Sequence, residues 1–523
     1  MRGLMHDSPL LISSLIRHAA RVFGDQELVT RSVEGPIHRT NYRELHLRAQ
    51  QLAGALVALG VQPGDRVATL AWNTSRHVEV YFAVSGIGAV CHTLNPRLPP
   101  EQLCYILNHA GDVLLFVDLS FVPFLARLGP NCPALRKVIV LSDRAHLPAD
   151  PDLLAYEDLL AEHPQSFAWP SFDENTASSL CYTSGTTGEP KGVLYSHRST
   201  LLHSFAIALP DLFNLGEHET VLPGPKLDGE SVYQLLEDER VTMTAGVPTV
   251  WMMLLNYMQQ HGKRFSTLKR VIVGGSAAPE AMIRTFQDQY GVELRHAWGM
   301  TETSPLGSFC SLTPAMKQWP KDEQVAVQRK QGRPAFGVEL RIVDDAGVVL
   351  PETGEVSGDL QIRGPWVCSG YYEQSGESPT HHPEGWFSTG DVATLDPAGF
   401  MQITDRSKDV IKSGGEWISS ITLENLAMGH PAVAEAAVIG VAHPRWLERP
   451  SSSSSSAKAP SSNPPTSSTT SPPRSPAGGA PTPSSSSTPS PTPPPARSPS
   501  CSCASSSRTT SCPTSPATPP EDR

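Results

Sequence analysis

Between Tyr182 and Gly192 the chain reads Tyr-Thr-Ser-Gly-Thr-Thr-Gly-Glu-Pro-Lys-Gly, with three glycines, four aliphatic hydroxyls and one lysine in eleven residues. Glycines let backbone N–H groups close on a polyanion with no Cβ in the way. Hydroxyls donate to phosphate oxygens, and a lysine adds a point charge. A plain linker needs neither a fixed lysine nor so many threonines. The string is not a Walker A loop, because the G-x-x-x-x-G-K-[ST] spacing fails. Thr183, Ser184, Gly185, Thr186, Thr187, Gly188 and Lys191 are therefore candidate phosphate-binding residues.

Three further clusters follow in order. Gly274-Gly275-Ser276-Ala277-Ala278-Pro279 lies between a strand-like run and a helix-like run, a tight turn at the least. His296-Ala297-Trp298-Gly299-Met300-Thr301-Glu302-Thr303 combines a ring able to stack on a purine, a threonine able to bond a phosphate and a carboxylate suited to magnesium. Gly385-Trp386-Phe387-Ser388-Thr389-Gly390-Asp391 ends on an aspartate, a natural bidentate acceptor for two ribose hydroxyls. His197 reads as a capping or packing histidine, and the pair His381-His382 sits in a polar loop and is assigned no metal.

In this order the motifs resemble the adenylate-forming superfamily of acyl-CoA synthetases, peptide-synthetase adenylation domains and luciferases. The likeness runs from residue 10 to residue 450, and its nearest form is the bacterial medium-chain and methylmercaptopropionate type of acyl-CoA ligase. The resemblance implies roles residue by residue. Gly275, Ser276 and Ala277 lie along adenine and read its edge; Trp298 and Gly299 flank it. Thr183, Lys191 and Thr301 act on the phosphates, and Glu302 holds Mg2+. Asp391 and Arg406 take the ribose, and Lys408 is the hinge about which a small domain swings. Lys412 serves thioester formation, with Gly414 and Gly415 lining the CoA approach. Position 298 is more often tyrosine in that family.

The implied reaction has two halves. A fatty-acid carboxylate attacks the α-phosphate of MgATP to give acyl-AMP and pyrophosphate, and the CoA thiol then displaces AMP. ATP, Mg2+ and coenzyme A are the expected cofactors and a medium- or long-chain fatty acid the expected substrate. The alternatives are a catalytically inactive nucleotide-binding protein and an adenylate-forming ligase for a short thioether or aromatic acid. A peptide-synthetase module would be followed by a carrier domain, and none is visible.

The chain's 523 residues allow two or three domains, and its net charge of −11 argues against a general nucleic-acid binder. Cys91, Cys104, Cys132, Cys181, Cys310 and Cys368 show no C-x-x-C pairing, so the expected location is a reducing cytoplasm. Leu10–Ile16 reads as an amphipathic helix, and no apolar run reaches membrane-spanning length. A homodimer is compatible with the sequence.

The motifs need elements to carry them. Helical spacing at Tyr42–Leu59, His77–Ser85 and Pro99–Asn108 alternates with strand-like Arg66–Ala71, Ala89–Thr93, Val113–Val117 and Val138–Leu141. That alternation predicts a layered α/β sheet. A second such unit follows the glycine-rich string: helices at Ser199–Leu209, Ser231–Glu239 and Ala278–Gln289, strands at Val241–Ala245 and Val271–Val273. From Gly337 to Ile403, short runs such as Glu339–Val343, Gly358–Ile362 and Phe400–Thr404 predict a small β-barrel-like subdomain. The expected plan is a large α/β domain over 1–404, the start of a truncated small α/β domain over 405–450, and a tail over 451–523.

Two departures from the family pattern stand out. Val221-Leu222-Pro223 runs straight into Gly224-Pro225-Lys226-Leu227-Asp228-Gly229, where family members carry a few dozen more residues that border the acyl pocket. Similar V-L-P strings lie at both ends of that insert. Loss of one copy with everything between would remove a strand, a helix and a pocket wall, damaging core and site together. Beyond Pro450 the composition turns to Ser, Pro, Thr, Ala and Arg with no Val, Ile, Leu, Met, Phe, Trp or Tyr. Such a segment is expected to be disordered, and the family's adenylating G-K lysine has no counterpart; Lys458 stands alone in polar sequence. Serine codons of the TC type, read one base earlier, encode apolar residues. Ser451–Ser456 then decodes as an apolar strand, Ser484–Pro491 as V-V-F-V-D-A-L-P, and Ala496–Ala504 as a string with a G-K start. A one-base slip near the codon for Pro450 is thus expected, against a genuine Ser/Pro tail, and activity of the chain as written is expected to be impaired.

Overall fold

The computed structural model describes residues 1, 3–183, 189–216, 220–374, 378–413, 416–420, 423, 424, 427, 433–443 and 447–456. The expectations placed on Ser184–Gly188, Gly414, Gly415 and the tail beyond Ser456 therefore fall outside the described residues.

A helix over Ser13–Val22 opens the chain, starting later than the expected Leu10. A hairpin of β1 (Glu27–Arg31) and β2 (Ile37–Asn41) follows, and Asn41 caps the helix Tyr42–Ala58 by accepting from the Glu44 N–H at 2.9 Å. Next comes a seven-stranded sheet: β3 (Arg66–Leu70), β4 (Val90–Thr93), β5 (Leu114–Val117), β6 (Lys137–Val140), β7 (Leu153–Ala155), β8 (Ala177–Thr183) and β9 (Lys191–Ser196). Its order is β7-β6-β5-β3-β4-β8-β9, parallel except for the β8–β9 pair. All four residues of β5 are buried, as a strand covered on both faces requires. Leu114 and Phe116 pack with Leu52, Leu56, Val80 and Val84, and Leu115 and Val117 pack with Leu103, Ile106 and Leu107. The helix Tyr42–Ala58 supplies Leu52 and Leu56, and the crossover helices Ser75–Gly86 and Pro100–Ala110 supply the other partners. The second ends on Gly111 at φ 64°, a left-handed cap that stops the helix before β5.

β10 (Thr220–Leu222) returns to pair parallel with β1. A five-stranded sheet then follows in chain order: β11 (Met243–Gly246), β12 (Arg270–Val273), β13 (Glu293–Trp298), β14 (Ser308–Phe309) and β15 (Arg333–Pro334). Helices Gly229–Asp238 and Pro248–Gln260 pack on it through Val232, Leu236, Trp251, Leu254 and Met258. β11 is an edge strand, partly exposed along its length, and beside it Val247, Met252 and Met253 are exposed. The helix expected over Ala278–Gln289 is shorter: one α-helical turn, Glu280–Arg284, passes into a π-turn at Thr285–Gln289.

The barrel-like expectation needs correction. β16 (Glu339–Val343), β17 (Gly358–Arg363), β18 (Phe387–Leu395) and β19 (Met401–Arg406) form an open antiparallel sheet in sequence order, with no closure among the described residues. One face, with Leu360, Ile362, Phe387 and Leu395, packs against Trp298, Phe309 and Trp366, so docking replaces closure.

Beyond Lys408 lie β20 (Ile411–Ser413), β21 (Glu416–Ile418), β22 (Val433–His443) and β23 (Leu447–Ser456), ordered β21-β20-β23-β22. Ser451–Ser456 is strand, paired antiparallel with Val433–Ile439. Serine adds little apolar contact to such a ribbon.

Candidate active site

The two ends of the glycine-rich string lie on paired strands. Thr183 ends β8, Lys191 begins β9, and the two are cross-strand partners in register. A hydroxyl and an ammonium therefore stand at the two feet of the loop. Antiparallel pairing confined to this one edge of a parallel sheet makes that possible.

Lys191 is exposed, and its Nζ rests 4.8 Å from the centre of the Tyr371 ring. The Tyr371 hydroxyl donates to Glu302 Oε1 at 2.9 Å. Glu302 is buried, and burial raises its carboxyl above the ordinary carboxylate range despite its own backbone N–H, the Tyr371 bond and the charges of Lys191 and Arg406. No ion pair compensates it among the described residues. A buried carboxylate with no ion-pair partner among the described residues, across Tyr371 from Lys191, is a donor suited to a divalent cation. Thr301, half-buried one residue earlier, is held through its carbonyl, which accepts from the Tyr195 hydroxyl at 2.7 Å.

Trp298 lies at the end of β13, 8% exposed, with the edge of its indole N–H directed at Asp391 Oδ2 (3.0 Å). Arg406 Nε lies 2.8 Å from Asp391 Oδ1, an ion pair without the alignment of a hydrogen bond. Burial raises the Asp391 carboxyl, and Arg406 and Trp298 oppose the rise. The three motif residues thus meet, with Asp391 and Arg406 as register partners on β18 and β19. Indole burial in the core is the chief surprise: Trp298 packs edge-on against Gly307, where a Cβ would fall 2.4 Å from the ring. Gly299 is tighter still, since a Cβ there would lie 1.5 Å from the Pro305 carbonyl oxygen.

Gly275, Ser276 and Ala277 are exposed at the carboxyl end of β12, with Gly275 at φ 82°. Ligands of open α/β sheets gather at that end of the strands. Lys408 is exposed in the turn between β19 and β20, where Asp409 and Val410 N–H groups bond the Arg406 carbonyl. Lys412 lies in β20 opposite Trp417, so its backbone position is set beyond that turn.

Side residues outside these motifs also have defined surroundings. His197 is a packing histidine: it is fully buried, accepts from the Ile12 N–H at 3.1 Å, and begins the helix that Ser196 caps. His381 faces Cys368 at 3.6 Å and His382 meets Ser388 at 2.7 Å; among the described residues no group of three or more acidic, His or Cys side chains could hold a metal. The six cysteines named above are free. No helix among the described residues is long and apolar enough to cross a membrane. A cavity of about 650 Å³ opens elsewhere, beneath the N-terminal hairpin, and its lining carries the ion pairs Arg48–Glu157, Arg76–Glu34 and Arg76–Glu157. Tyr195 and Tyr371 escaped sequence reasoning, because a lone tyrosine in a strand or loop carries no periodic signal.

Comparison with known proteins agrees with this geometry. The AMP-binding enzyme family model matches residues 16–223 and again 212–372, and the AMP-binding enzyme C-terminal domain matches 422–452. The chain is 48% identical to a 3-methylmercaptopropionyl-CoA ligase of Ruegeria lacuscaerulensis, over 86% of this chain and 88% of that protein. It is 47% identical to a medium-chain-fatty-acid–CoA ligase of Ectopseudomonas oleovorans, over 86% and 87%. A long-chain-fatty-acid–CoA ligase of Thermus thermophilus is 42% identical over 85% and 86%. The fold matches an anthranilate CoA ligase solved with anthranoyl-AMP, at TM-score 0.74 and 24% identity over 87% of this chain and 89% of that one. With its motifs gathered on this fold and its sequence matched along most of its length, the chain belongs to the AMP-binding enzyme family.

Proposed function

We propose that the chain comes from an ATP-dependent acyl-CoA ligase that activates a medium- or long-chain fatty acid as acyl-AMP and passes it to CoA. The observation that carries this is the meeting of Lys191 and Glu302, remote in sequence, on either side of Tyr371. Lys191 and the hydroxyl of Thr183 hold the outgoing phosphates, and Thr301 bonds the α-phosphate. Asp391, oriented by Trp298 and Arg406, takes the ribose hydroxyls. Glu302 would hold Mg2+, which neutralises phosphate charge when bound. Preorganised positive charge at the phosphates is what an adenylation transition state needs. Rotation about Lys408 then brings Lys412 and its neighbouring glycines to the second half-reaction. A cytoplasmic location and a homodimer belong to the same proposal.

The same proposal holds that turnover is impaired. The two family matches overlap at residues 212–223, so one short segment aligns with two places in the family model. The alignment with the Ruegeria relative spans 478 residues, more than 86% of this chain supplies, so that relative carries residues inside the span that this chain lacks. The overlap supports a deletion at Pro223, and the difference in length supports missing internal residues. The open edge at β11 is where such a deletion would leave a sheet unfinished. Beyond Pro450 the serine strand stands where the slipped frame encodes an apolar one.

Acid-dependent release of pyrophosphate, measured with octanoate, dodecanoate, a methylthio acid and benzoate, tests the proposal. Mg2+-dependent ATP binding with turnover far below that of a version restored at both breaks is the expected result. Rapid acyl-CoA formation by the chain as written would refute the impairment, and failure of the restored version to use any fatty acid would refute the activity. ATP binding with no turnover even after restoration would favour an inactive nucleotide-binding protein.

A further inference from the structure

We propose that Tyr371 is a positioning residue that keeps Lys191 and Glu302 apart and each aimed at its own ligand, rather than letting them pair with one another. This inference rests on the nucleotide-binding reading above. Opposite charges this close at the mouth of a loop would ordinarily collapse into an ion pair, spending both. Here the phenol ring stands between them: the ammonium lies over the ring and the carboxylate accepts from its hydroxyl. A cation over the ring face draws electron density from the phenol and makes the O–H a stronger donor, so the two contacts reinforce each other.

The backbone makes Tyr371 a fixed spacer. The Cys368 N–H donates to the Glu302 carbonyl at 2.8 Å, and the Tyr372 N–H donates to the Gly192 carbonyl at 2.8 Å. The segment is thus stapled to Glu302 at one end and to the residue after Lys191 at the other. His381 holds the ring edge-on, with centroids 5.5 Å apart at 90°. Gly192 admits this approach, because a Cβ there would fall 3.1 Å from Tyr372 Cβ. The lysine thereby stays available for phosphate, and the carboxylate for the metal that travels with it.

Two substitutions separate the functions of ring and hydroxyl, read by calorimetric titration of the full chain with ATP at varied Mg2+ and with ATP in EDTA. Tyr371→Phe keeps the spacer and loses the bond to Glu302. The Mg2+ concentration giving half-maximal enhancement of ATP binding should rise about tenfold, the worth of one hydrogen bond to a charged group, while affinity in EDTA stays the same. Tyr371→Leu also removes the ring, and should weaken ATP binding in EDTA as well, as Lys191 turns to Glu302. Restoring EDTA affinity with Tyr371→Leu/Glu302→Gln would confirm that the pairing is the cause. Loss of both readouts alike in Tyr371→Phe, or no change in either, overturns the spacer role. Absence of ATP binding by the unaltered chain overturns the nucleotide reading instead.

Discussion

Trp298 links two jobs that sequence motifs treat separately. Its indole belongs to the core, yet its N–H is one of two contacts among the described residues that steady the buried Asp391 carboxylate. Trp298→Phe removes that donor and leaves the carboxylate short of a partner, at a cost of about 1–3 kcal/mol. Urea unfolding should show the loss, and AMP affinity should fall with it; unchanged values for both would contradict the assignment. Gly299→Ala is predicted to be harsher. The new methyl meets the Pro305 carbonyl at a distance no side-chain shift relieves, so the turn carrying Thr301 and Glu302 must move. A stability loss of about 3 kcal/mol and abolished ATP binding are expected, by the same two measurements. At this scale the sequence was legible wherever chemistry repeats a spacing. Thr183, Lys191, Trp298, Glu302, Asp391 and Arg406 all reached one region. Tyr371 and Tyr195 did not announce themselves, because their roles arise only from three-dimensional approach.

Elements with clean period and caps were read nearly to their ends: the Asn41-capped helix and the buried strand Leu114–Val117 match their expected spans closely. The β1–β2 hairpin was missed because Ile37–Asn41 is polar and largely exposed, with no alternation to detect. A barrel was expected where a sheet instead buries one face on the five-stranded layer, since strand composition does not say whether edges meet. The serine strand was missed for the opposite reason: Ser451–Ser456 has the composition of a coil but lies in a hairpin position against Val433–Ile439. Ser451, Ser452, Ser453 and Ser454 are exposed, and a two-stranded ribbon is marginal without apolar contact. Amide hydrogens of 451–454 should therefore exchange within seconds, near the unprotected rate. Ser452→Val, opposite buried Val438, should slow exchange in that ribbon; equal rates in both would mean that backbone pairing alone sets its stability.

Across the whole molecule, several histidines sit buried. Burial pushes His77, His197, His203 and His296 down to about 4. An unfolded chain takes up protons on these groups near 6.5, while the folded chain refuses them until about 4. Stability is therefore full above 6.5 and is lost as pH falls toward 4, by up to about 1.4 kcal/mol per pH unit for each histidine. Urea midpoints at pH 7 and pH 5 should differ clearly; equal midpoints would mean that these rings are not held neutral. The proposed nucleotide site should survive at neutral pH even where the break proposed at Pro223 and the serine strand compromise turnover, because Thr183, Lys191, Trp298, Glu302, Asp391 and Arg406 lie on elements formed without them. Calorimetric titration of the full chain with ATP at pH 7.5, with and without Mg2+, tests that claim most directly. The account predicts saturable binding at one site that tightens when Mg2+ is added and weakens in Lys191→Ala and Glu302→Gln, whereas no detectable heat of binding under either condition would contradict it.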